Sequence, residues 1–120
     1  CIADHKPLNA VCLNESQSAL TAIANDYGFE ETFRRIVQAN LEKNDLLICL
    51  STSGKSQNIL NGIKAASDIG IKCVLWMGEY DVPFENIEVW QVKSRITPRI
   101  QEIHLSWGHL IAELIEYKLS

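Results

Sequence analysis

Leu46 to Leu50 (LLICL) is an unbroken apolar run, and it passes without a spacer into the polar stretch Ser51-Thr52-Ser53-Gly54-Lys55-Ser56. An apolar run with no polar alternation fits a strand buried on both faces, as in a parallel sheet. After the polar stretch, Ile59, Leu60, Ile63, Ala66 and Ile69 recur at helical spacing, and Gly70 closes the segment. Lys72 to Met77 (KCVLWM) reads as a second strand of the same kind. Strand, loop, helix, strand is a βαβ unit. The chain must therefore build a parallel sheet covered by helices.

The flanking segments extend this pattern. Asn9 to Leu13 (NAVCL) is a short apolar run and is expected to be a strand. Ala19, Leu20, Ile23 and Ala24 mark a helix over Ser18 to Tyr27, broken at Gly28. Phe33, Ile36, Val37 and Leu41 mark a second helix from Phe29, ending before the Asn44-Asp45 turn. Residues 78–86 are irregular and contain Pro83, and Ile87 to Val92 (IEVWQV) reads as a strand. Thr97 is the expected N-cap of a last helix, with Pro98 in its first turn. Ile100, Ile103, Trp107, Leu110, Ile111 and Leu114 are the expected buried side of that helix, which runs to about Lys118. The expected order is β-α-α-β-α-β-β-α, a three-layer α/β sandwich with a parallel sheet flanked by helices, in one domain over residues 1–120.

Charge and cysteine usage narrow the function classes. Eleven Lys and Arg against 15 Asp and Glu leave a formal charge of -4, which argues against a protein that grips a nucleic-acid backbone. No apolar run approaches the roughly 18 residues of a membrane span. Cys1, Cys12, Cys49 and Cys73 show no metal-binding spacing. Cys12, Cys49 and Cys73 lie in apolar segments, are expected to be buried and reduced, and point to a cytoplasmic protein. The chain opens on Cys1 with no start residue and no signal pattern, which reads as a fragment.

The strongest chemical signal is the serine-rich loop. A helix N-terminus offers unpaired N–H groups and partial positive charge, and Gly54 permits close backbone approach. Ser51, Thr52, Ser53 and Ser56 add hydroxyl donors, at the end of the strand where parallel sheets bind ligands. The loop is then a phosphate cradle, or else a polar connection that caps its own helix. It is not a nucleotide-binding P-loop, because GxxxxGKS would need Gly where Cys49 stands. Gln101 and His109 on the last helix differ by about 80° in direction and about 12 Å along the axis, so they can face one cleft. No HExxH or His-rich pattern supplies the three or four ligands of a zinc site. Taken alone, His104 and His109 also fit core or interface roles. Asn25-Asp26 also fits a simple turn before Gly28. His5 is given no role.

Three segments together carry a family resemblance: ALTAIANDYGFEETF, LLICLSTSGKSQNIL and TPRIQEIHLSWGHLIAELIE. In order and spacing they resemble the sugar isomerase (SIS) domain family, and within it the phosphoheptose isomerase branch. The likeness covers about Pro7 to Tyr117. It implies that Ser51, Thr52, Ser53 and Ser56 hold a substrate phosphate, and that Asn25, Asp26 and Gln101 bind the sugar. It implies zinc as cofactor, with Gln101 and His109 as ligands and His109 also as the catalytic acid/base. It implies conversion of sedoheptulose 7-phosphate into D-glycero-D-manno-heptose 7-phosphate through an enediol. The expected assembly is a homotetramer with sites between subunits.

Departures from the family pattern are equally specific. The first strand with its Asn-Gly-Gly-Ser loop, the preceding helices and a His-x-x-x-Glu helix are absent from this sequence. That helix would carry two further zinc ligands and the general base. Lys55 replaces the commoner Asn of STSGNS, and the loop from Gly78 lacks the usual Asp-Gly-Gly. A sheet missing a strand is expected to leave an apolar edge and face exposed. The competing reading is a non-catalytic SIS protein that binds a sugar phosphate, or one that associates with the DnaA replication initiator. Retention of Ser53 and His109 favours the enzyme.

Overall fold

The computed structural model describes residues 6–119. Four α-helices and three strands follow in the order α1 (Gln17–Tyr27), a 3-10 turn (Phe29–Glu31), α2 (Thr32–Asn40), β1 (Leu46–Leu50), α3 (Gln57–Ile69), β2 (Lys72–Met77), β3 (Glu88–Gln91) and α4 (Thr97–Leu119). The sheet is parallel throughout, in the order β1-β2-β3. Leu47 lies opposite Cys73, Cys49 opposite Leu75, and Trp76 opposite Trp90.

Strand parity sorts the side chains into two layers. Leu47, Cys49, Cys73, Leu75 and Met77 point to one face, where Val37 of α2 and Ile63, Ala65 and Ala66 of α3 complete the core. Leu46, Ile48, Leu50, Val74, Trp76 and Trp90 point to the other. There α4 rests on the sheet through Ile100 and His104, its only buried residues. Leu46, Ile48 and Leu50 stay exposed on this second face. The expected apolar exposure is therefore present, at residues of β1. No helix among the described residues is long and apolar enough to cross a membrane.

The structure corrects four expectations. Residues 9–13 form no strand, and Val11 is exposed; among the described residues no strand lies beside them to complete a ladder. Cys12 is exposed in that segment, whereas Cys49 and Cys73 are buried and free. Helix α4 includes Thr97 itself, and the Ile96 carbonyl accepts from the Arg99 and Ile100 amides. Most of its apolar stripe is open: Ile103, Leu110 and Leu114 are exposed, because the three-stranded sheet reaches only the first turns of the helix. The radius of gyration, 15.3 Å, exceeds the roughly 13.6 Å expected of a chain this long.

Three measurements follow. Leu75 is fully buried in the middle strand, so Leu75→Ala should cost about 2–5 kcal/mol in urea unfolding. Burial, with the neighbouring Cys73, pushes the Cys49 thiol from 9.0 up to about 12. The native chain then keeps a proton that the unfolded chain loses above its own value of 9.0, so this contribution to stability is intact below pH 9 and lost as pH rises towards about 12. Thiol reagents at neutral pH should label Cys12 in the native protein, and Cys49 and Cys73 only after denaturation.

Candidate functional site

All three strands end on the same side, and the chain knits those ends together. Ladder-like bonds continue past the strands: the Ser51 amide donates to the Trp76 carbonyl at 3.0 Å, and the Val92 amide to that of Met77 at 2.9 Å. The Gly78 amide donates to the Thr52 carbonyl at 2.9 Å. A Cβ on Gly78 would lie 2.4 Å from Ile100 Cδ1, 2.8 Å from the Ser94 carbonyl oxygen and 3.0 Å from that of Thr52. Glycine is thus what lets the serine loop, the segment after β3 and the start of α4 meet at one point. The loop after β2 is pinned by Gln91, whose amide donates to the Tyr80 carbonyl at 2.7 Å, and by Arg95, whose Nε donates to the Glu79 carbonyl at 2.9 Å.

Within the serine loop the hydroxyls are partly engaged with one another. Ser51 is buried and donates to Ser56 Oγ at 3.3 Å. Ser53 Oγ accepts from the Lys55 amide at 3.2 Å. Gly54 takes a left-handed conformation (φ 66) against Met77, which turns the backbone into the loop. Ser56 is the N-cap residue of α3, yet its side chain makes no capping bond. The serine loop therefore gives the first amides of α3 no side-chain cap; the Ile59 amide donates instead to Asn58 Oδ1 at 2.9 Å, from within the helix, and those of Gln57 and Asn58 stay open to a ligand. Lys55 Nζ lies 5.9 Å from the centre of the Tyr80 ring, and Arg95 Cζ 5.5 Å from it, so two cations stand near the loop.

A cleft of about 560 Å³ opens between the loop and α4. Thr52, Gln101 and His109 line it together, with Leu50, Trp76, His104, Leu105 and Gly108. Ser51, Ser53 and Ser56 sit in the adjoining loop and not in its lining. Asn25 and Asp26 lie elsewhere, exposed on the last turn of α1, where the Asn25 amide donates to Asp26 Oδ1 at 2.8 Å. Among the described residues no three His, Cys, Asp or Glu side chains cluster as a metal site would require. Gln101 and His109 do not make a zinc site by themselves.

Residue pattern does not announce the aromatic cluster at the cleft, of which Trp76 and His104 are lining residues. Trp76 stacks on Trp90 at 5.6 Å, and Trp107 meets both edge-on at 5.6 Å. His104 lies against Trp107 at 5.5 Å and Trp76 at 5.9 Å. Burial lowers the His104 pKa from 6.5, while a hydrogen bond with the Met77 backbone works in the opposite direction. The available signal was spacing: Gln101, His104 and Gly108 share one helical face above the even-numbered face of β2.

The family model for the SIS domain matches residues 3–75. A phosphoheptose isomerase of Helicobacter pylori (strain HPAG1) is 44% identical over 115 residues, covering 94% of this chain and 60% of that protein. One from Aliarcobacter butzleri (strain RM4018) is 40% identical over 119 residues, covering 98% of this chain and 63% of that protein. The solved phosphoheptose isomerase from Neisseria gonorrhoeae superposes with a TM-score of 0.82 at 34% identity, covering 88% of this chain and 61% of that one. The one from Francisella tularensis gives 0.88 at 29% identity, covering 92% and 61%. The chain thus spans about three fifths of the length of these relatives.

Ser56 caps nothing with its side chain but accepts from the buried Ser51 hydroxyl, so Ser56→Ala should cost about 0.5–1.5 kcal/mol in urea unfolding. Gly78→Ala overpacks the crossing point and should cost about 1–3 kcal/mol in the same assay.

Proposed function

Because this chain belongs to the SIS domain family, we propose that it serves the aldose–ketose isomerisation of a phosphorylated sugar, sedoheptulose 7-phosphate to D-glycero-D-manno-heptose 7-phosphate. The observation that carries this reading is the single cleft shared by Thr52 of the serine loop and by Gln101 and His109 of α4. The substrate is inferred from the phosphoheptose isomerases that the chain resembles in sequence and in fold.

The phosphate occupies the serine loop. Its oxygens accept from the Gln57 and Asn58 amides at the start of α3 and from the hydroxyls of Ser51, Thr52, Ser53 and Ser56, with Lys55 adding charge. The reacting carbons lie along α4. Isomerisation moves a proton from C1 to C2 on a general base supplied from outside the described residues, while O1 loses its hydroxyl proton and O2 gains one. The Gln101 amide donates to the oxygen on which negative charge develops. The His109 imidazole passes the oxygen-bound proton.

A zinc ion at Gln101 and His109 would need further ligands from outside the described residues. Asn25 and Asp26 reach a sugar only if another copy of the chain brings them to the cleft. We propose such an assembly, a homotetramer, supported by the exposed Leu46, Ile48 and Leu50 and the open stripe of α4. Free buried Cys49 and Cys73 support a reducing, cytoplasmic location.

The test is calorimetric titration with sedoheptulose 7-phosphate, followed by NMR observation of the aldose product. Ser53→Ala and Ser56→Ala should each weaken binding by at least about 10-fold, the loss of a hydroxyl donor to a charged group. His109→Ala should abolish turnover while leaving the circular dichroism spectrum unchanged. Binding without turnover in the unaltered protein would place it with SIS proteins that hold sugar phosphates without converting them. No binding at all would overturn the proposal.

A further inference from the structure

Two buried side-chain polar atoms among the described residues have no hydrogen-bond partner, the Nε1–H of Trp76 and Nε2 of His104. Both residues belong to the wall of the same cleft, one from β2 and one from α4. Each residue is almost wholly buried, with 4% of Trp76 and 3% of His104 exposed. An unmade buried donor or acceptor carries a desolvation penalty, and native folds seldom leave two in contact without a purpose. Neighbouring Trp90 shows the ordinary outcome: its Nε1–H donates to Glu88 Oε1 at 2.7 Å.

The two atoms are chemically opposite. Tryptophan Nε1 can only donate. His104 is neutral at neutral pH because burial lowers its pKa. With the Met77 backbone engaging its other nitrogen, Nε2 presents a lone pair. The rings stand 5.9 Å apart, centre to centre. One group that satisfies both at once is a hydroxyl, which accepts from Trp76 and donates to His104. A fully ionised phosphate ester or a carboxylate has no proton for Nε2, and an ammonium cannot accept from the indole.

We propose that Trp76 and His104 form a hydroxyl-reading subsite in the cleft, specific for an alcohol group of the sugar and not for its phosphate. The subsite rests on the sugar-phosphate reading above and makes these two residues determinants of substrate choice. Both nitrogens are closed to water in this structure, so the hydroxyl enters as α4 shifts on β2. The shift is a tilt about the Ile100–Gly78 crossing, since beyond Ile100 the helix buries only His104 itself. Gln101 and His109 ride on the same helix, so seating the hydroxyl also sets their position. A site of this kind rejects an analogue that lacks the hydroxyl, because the donor and acceptor are then buried unpaired.

The experiment follows the indole N–H signals of the ¹⁵N-labelled protein during titration with sedoheptulose 7-phosphate and, separately, with inorganic phosphate. The Trp76 signal should move downfield with the sugar phosphate and stay in place with inorganic phosphate, and the Glu88-bound Trp90 signal serves as the internal control. His104→Phe keeps the ring but not the acceptor. It should weaken sedoheptulose 7-phosphate binding by about 3- to 10-fold and leave inorganic phosphate binding unchanged. If the unaltered protein binds the sugar phosphate while the Trp76 signal stays put, the subsite is overturned and the isomerase reading stands. If it binds inorganic phosphate but not the sugar phosphate, both fall. A His104→Phe protein that melts earlier yet binds the sugar phosphate normally marks a structural water between the rings, and this also overturns the subsite. Should that variant not fold, the indole signals of the unaltered protein decide alone.

Discussion

The absence of a side chain at Gly78 is the constraint on which the site geometry depends. The serine loop, the segment after β3 and the start of α4 all come within 3.0 Å of where a Cβ would stand. The Thr52 carbonyl can accept from the Gly78 amide only if that space is empty, and Ile100 can then sit fully buried beneath the first turn of α4. From that crossing, the direction of α4 carries Gln101, His104 and His109 over the carboxyl end of β2. Any side chain at residue 78 would have to push at least one of the three segments away, and a close-packed interior offers little room for that.

Parity along the strands explains why the cleft has an aromatic wall. Side chains of β1 and β2 alternate between a face filled by α2 and α3 and a face that α4 only partly covers. The first face is an ordinary aliphatic core. The second carries Trp76 and Trp90, and α4 adds Trp107 and His104. Large rings bridge a gap that a helix touching the sheet only by its first turns cannot fill with aliphatic chains, and they bring N–H groups into an apolar setting. Polar selectivity in the cleft is thus a by-product of how little of that face the fold covers.

Much of this architecture was legible from residue pattern. LLICL and KCVLWM both have the composition of doubly buried parallel strands, and both are parallel strands; β2 is buried on both faces, whereas β1 is buried only at Leu47 and Cys49, because no helix among the described residues covers its other face. NAVCL was misread for a physical reason: an apolar run becomes a strand only where a neighbouring strand accepts its hydrogen bonds, and strand propensity is largely a matter of context. The burial of α4 was overestimated on similar grounds. Its apolar stripe shows that a partner face is wanted, but not whether that face lies within the described chain. The loop and the pair Gln101 and His109 could be picked out by residue type and spacing. The link between Trp76 and His104 could not, because it depends on which strand face meets which helical turn.

One detail of the serine loop reaches beyond recognition. A helix normally completes its first turn with oxygens borrowed from its own chain; α3 takes one from Asn58 for the Ile59 amide but none from Ser56, whose hydroxyl pairs with Ser51, so the Gln57 and Asn58 amides still lack one. The missing oxygen can then be supplied from outside. An arriving anion would finish a piece of secondary structure, so part of its binding free energy would go into ordering the protein, and the start of α3 would be firmer in the occupied state than in the empty one.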